Sequence, residues 1–116
     1  MRAKTVYESI SFERGKDPKS SMKIGLYVKI KKGIEFIINH HDVNNANFER
    51  DTMYGGADFM IDTILKTADI KRLVKQTFGD ILIPMGLMEY TWKTFRVNPD
   101  LIDTFEQAWN DVRESL

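Results

Sequence analysis

A chain of 116 residues with 42% hydrophobic and 29% charged side chains matches one ordinary globular domain and lies far from the composition of disordered chains. Seventeen basic residues balance seventeen acidic ones and cysteine is absent, which excludes a strong net field for polyanions, a disulfide framework, thiolate catalysis and cysteine-held metal centres. The apolar runs are too short to span a bilayer and the first residues lack a secretory pattern, so the expectation is a cytoplasmic protein without a membrane partner.

In chain order, residues 1–21 read as a flexible amino-terminal arm and residues 22–116 as a single globular domain. The arm is polar apart from Val6, Tyr7, Ile10 and Phe12. Val6 and Ile10 stand one helical turn apart, so the arm is a candidate for docking on a partner. Between Met22 and His41 two periods compete. Ile24, Leu26, Val28 and Ile30 alternate as in a strand, whereas Leu26, Ile30, Ile34, Ile37 and His41 share one side of a helix. The helical reading leaves fewer residues misplaced and is preferred.

Residues 42–56 hold three asparagines and the Gly55-Gly56 pair and read as a loop. Met60, Ile61, Ile64 and Leu65 fall at helical spacing, as do Ile70, Leu73, Val74 and Phe78, which predicts two helices. Gly79 is placed to end the second. Ile81 to Ile83 precede Pro84 and suit a short strand or linker. Met88, Trp92 and Phe95 share a helical face, although Tyr90 to Val97 is also rich in strand formers. The last element is the clearest: Asn98 caps it, Pro99 suits its first turn, and Leu101, Ile102, Phe105, Ala108, Trp109 and Val112 form a complete apolar stripe.

These elements together predict a mainly α fold, a compact bundle of about four to five helices with an amino-terminal arm. The alternative is an α+β fold with a hairpin at 22–39 and a strand near 81–97.

No catalytic, cofactor-binding or metal-ligating set is expected. His40 and His41 are the only histidines, and adjacent residues on a helix diverge by about 100°, which works against a shared metal. Asp58 and Asp62 lie one turn apart on a predicted helix, where a helix-start charge and a solvated position account for them. Lys71, Arg72 and Lys75, with Lys93 and Arg96 beside Trp92 and Phe95, form the candidate nucleic-acid contact, since cations hold phosphates and aromatics stack on bases.

The segment Phe12-Glu-Arg-Gly-Lys-Asp-Pro-Lys, followed by Met22 and Ile24-Gly25, resembles a short pattern near the amino end of uncharacterised proteins of tailed bacteriophages and marine environmental sequences. Those proteins often carry glycine where Lys23 stands here. The resemblance covers residues 12–25 only, implies viral origin and a following helix, and carries no catalytic residue across. The functional expectation is a phage-derived accessory or assembly protein that is non-enzymatic and works through contacts with other proteins or as a homo-oligomer. The alternative is a small nucleic-acid-binding or regulatory protein.

Overall fold

The computed structural model describes residues 18–51, 53–89 and 91–116. Val6, Tyr7, Ile10 and Phe12, expected to dock on a partner, lie outside this set. In chain order the described elements are helix α1 (Pro18–Ile38), strands β1 (Val43–Asp51) and β2 (Gly56–Thr63), helix α2 (Thr67–Phe78), strands β3 (Leu82–Glu89) and β4 (Trp92–Val97), and helix α3 (Ile102–Glu114). Single 3₁₀ turns at Gly79–Ile81 and Pro99–Leu101 lead into β3 and α3. The fold is α+β, which overturns the expected bundle of four to five helices.

The four strands form one antiparallel sheet in the order β1-β2-β4-β3, with α2 as the crossover between β2 and β3. β2 explains why the bundle fails. Ala57, Phe59, Ile61 and Thr63 are buried while Asp58, Met60 and Asp62 between them are only half-buried, a period of two that defines a sheet with one covered face. The helical spacing of Met60, Ile61, Ile64 and Leu65 is a coincidence of composition, and Ile64 ends 70% exposed.

The same alternation reassigns the predicted helix around Trp92. Phe95 and Val97 of β4 are buried, whereas Trp92 belongs to the other face. The expected loop at 42–56 is β1 and its hairpin turn. Asp51 accepts the amide hydrogens of Met53 and Tyr54 at 3.0 and 3.1 Å, and Gly55 takes φ 76°, a left-handed conformation that glycine reaches without strain. Residues 22–38 are helical, so the alternative hairpin at 22–39 is also overturned, while strands occupy the 82–97 region. Residues 18–21, assigned to the arm, form the first turn of α1.

All three helices lie on one face of the sheet. Phe59, at the centre of β2, meets Phe78 of α2 at 6.2 Å and Phe105 and Trp109 of α3 at 5.2 and 5.7 Å between ring centroids. Edge-to-face geometry of this kind adds to the burial of the rings. α1 contributes Ile30, Ile34 and Ile37, and a Cβ on its Gly33 would stand 2.6 Å from the Phe78 ring, so glycine is what lets α1 approach α2. The capping expected for the last helix is realised through the 3₁₀ turn, where the Asn98 side chain accepts from the Asp100 amide at 3.0 Å. Among the described residues no helix is long and apolar enough to cross a membrane.

Candidate functional site

α1 stops at Ile38, and the chain turns through Asn39 to Asp42 before β1 begins. Two backbone bonds shape this turn, from His40 N to Ile37 O at 3.1 Å and from Val43 N to His40 O at 3.0 Å. Because the helix ends before the histidines, the divergence expected of adjacent helical residues does not apply. The rings of His40 and His41 stack instead, with centroids 4.6 Å apart and planes 15° from parallel.

Donor and acceptor atoms of His40, His41 and Asp42 lie within 4.8 Å of one another. His40 is half-buried and touches Phe36 edge to face at 6.1 Å, while His41 is exposed. The Asp42 amide donates to Nδ1 of His40 at 3.0 Å. That lone pair is therefore occupied, and the neutral ring carries its proton on Nε2. His41 faces the other way in chemical terms. Its Nε2 lies 3.2 Å from Oδ2 of Asp42, and that negative charge favours, in the neutral ring, the tautomer with the proton on Nε2 and the lone pair on Nδ1. In these tautomers His40 offers an N–H and His41 a lone pair from two stacked rings.

The sheet fixes the turn that carries them. Thr63, fully buried at the end of β2, donates its hydroxyl to the Asp42 carbonyl at 2.5 Å, and the Ile64 amide donates to the same oxygen at 3.3 Å. The Thr63 hydroxyl also accepts from the Leu65 amide at 3.1 Å, and its amide donates to the Thr91 carbonyl at 2.9 Å. Lys93 approaches the Thr63 carbonyl with Nζ at 3.4 Å. A buried hydroxyl that both donates and accepts holds its partners in one geometry. Thr63 escapes the sequence reading because its role depends on the strand period, and the alternation Ala57, Phe59, Ile61, Thr63 is the signal that would have placed it inside.

The separation of His41 Nε2 and Asp42 Oδ2 is close to one edge of a tetrahedral zinc site, whose bonds are about 2.0–2.2 Å. His40 does not complete such a site as it stands. To bind a metal through Nε2 it would have to move its proton to Nδ1 and give up the bond from the Asp42 amide. The arrangement suits proton transfer better than metal ligation.

The other acidic candidates do not join this cluster. Asp58 sits on the opposite face of the sheet, where Arg96 donates to its two oxygens at 2.7 and 3.5 Å, and Gly56 beneath leaves room for that guanidinium. Asp62 lies four residues along on the same strand, with Oδ1 buried and without a hydrogen-bond partner among the described residues.

The predicted nucleic-acid contact divides among three surfaces. Lys71, Arg72 and Lys75 are exposed along α2, with Arg72 bonded to Asp69 at 3.1 Å. Lys93 is 7% exposed on the covered face of the sheet, and Arg96 is on the other face, tied to Asp58. Only the three α2 cations share one surface.

No family model, curated protein or solved structure matches this chain.

Proposed function

We propose that His40, His41 and Asp42 form an acid–base centre that moves protons on a small polar ligand, in reactions such as hydration, dehydration or tautomerisation that need one acid and one base held together. The observation that supports this most is the pair of imidazoles stacked beside Asp42, whose contacts favour an Nε2–H on His40 and an Nδ1 lone pair on His41. Asp42 orients the base as a third group does in nucleophile–base–orienter sets, and Thr63 holds Asp42 from the sheet.

The test is a screen of soluble metabolites by the imidazole ring-proton signals of the two histidines, followed by turnover assays on the ligands found. His40→Asn retains an acceptor near the position of Nδ1 and removes the Nε2–H, and His41→Ala removes the base. Ligands that shift both ring signals and are converted only by the parent protein support the centre. Conversion that survives both substitutions overturns it, as does a zinc titration that moves the His40 proton to Nδ1 with no metabolite engaging either ring.

A second reading is an accessory or assembly protein of phage origin that works through protein contacts. It draws on the resemblance of residues 12–25 and on a side of α1 that the other described residues leave open.

A further inference from the structure

Gly25, Val28, Lys29, Lys32 and Phe36 recur at intervals of three and four along α1, on a side distinct from its buried Ile30, Ile34 and Ile37. With Leu73 and Thr77 of α2 they line an open groove of about 630 Å³. We propose that this groove receives an acidic amphipathic helix of about three turns from another protein.

Gly25 is the first observation. A glycine inside a helix costs roughly 0.5–1 kcal/mol relative to alanine, so its presence calls for a reason. Gly33 has one within the fold, because the Phe78 ring fills the space a Cβ would need. Gly25 has none among the described residues, where a Cβ at this position would meet nothing within 4 Å. The bare backbone admits a close approach from outside, as helix-in-groove contacts require.

Length and charge then select the occupant. From Gly25 to Phe36 the groove runs about 16 Å, three turns of helix at 1.5 Å per residue. Phe36, 52% exposed, offers an apolar anchor at the far end. Among the described residues Lys29 and Lys32 are the charged members of the lining, with no carboxylate beside them in it, so glutamates flanking an apolar stripe complement the groove. The chain's own first residues fit less well, since Arg2, Lys4, Arg14 and Lys16 outnumber Glu8, Glu13 and Asp17. A second copy fits poorly too, because the acidic helix α3 already buries its apolar stripe and α2 presents Lys71, Arg72 and Lys75 outward.

This inference is independent of the imidazole centre. The probe is a labelled synthetic three-turn helix with leucine and alanine along one stripe and glutamate beside it, with a twin carrying lysine in place of each glutamate. Fluorescence anisotropy against the full chain should show the acidic peptide binding about tenfold or more tightly than its twin, and weakening as salt rises. Lys29→Glu with Lys32→Glu should reverse the preference. Gly25→Leu should abolish binding while thermal melting shows the fold intact, because the added side chain has open space. Equal binding of the two peptides, unchanged affinity in Gly25→Leu, or light scattering that shows a dimer broken by the lysine substitutions would overturn the proposal.

Discussion

The Tyr27 hydroxyl donates to the Asp111 carboxylate and so ties α1 to α3 through a single proton. Burial, then the bond to Asp111 and its negative charge, hold that proton well above the usual phenol range. The sign follows directly. A group whose folded pKa is raised contributes stability that is fully present below its unfolded value, near 10, and is lost as pH climbs from there toward the folded value. Urea melts should therefore show the parent protein losing stability above about pH 10, with a steeper slope than Tyr27→Phe. At neutral pH that variant should be less stable by about 1 kcal/mol, since it removes one hydrogen bond to a partly exposed carboxylate. At the same scale Arg50 clasps Glu106 at 2.7 Å and Asp103 at 3.0 Å, which pins β1 to α3 at the surface, where such pairs contribute little.

Between α1 and β1 the chain turns on a short run whose geometry is decided by Thr63 rather than by its own residues. Thr63→Val keeps the volume and removes both the donor to the Asp42 carbonyl and the acceptor for the Leu65 amide. It should cost about 1–3 kcal/mol in a urea melt and broaden the ring-proton signals of His40 and His41, whereas Thr63→Ser should retain most of both. Element by element, legibility followed how local the deciding forces are. α3 could be read because its cap and its stripe are local, and α2 because Ile70, Val74 and Phe78 repeat without interruption and are all buried. β1 was opaque, with Val43, Ala46 and Phe48 packing inward among asparagines and charges. β2 misled because four apolar residues fell at helical spacing while its working period ran through a threonine. The histidines were visible as residues, but their stacking depends on α1 stopping short of them at Ile38, and no cap in the sequence announces that end.

At the scale of the molecule, one sheet face collects the buried side chains of every helix, and Phe59 is the ring on which α2 and α3 both rest. Phe59→Ala should cost about 3–5 kcal/mol, a large part of the 5–15 kcal/mol that holds an ordinary domain together. Calorimetry should show a much lower, less cooperative melt for this variant, and a value within a few degrees of the parent would mean that the rings around it do not share one core. Phe105, Ala108, Trp109 and Val112 come from the last helix in chain order, so the strands are synthesised before this third part of their cover exists. A chain synthesised only as far as β4 has α1 and α2 to lay over its sheet but lacks Phe105 and Trp109, so part of the greasy side is still bare, and that interval in translation is the moment when this protein most needs a chaperone's shelter.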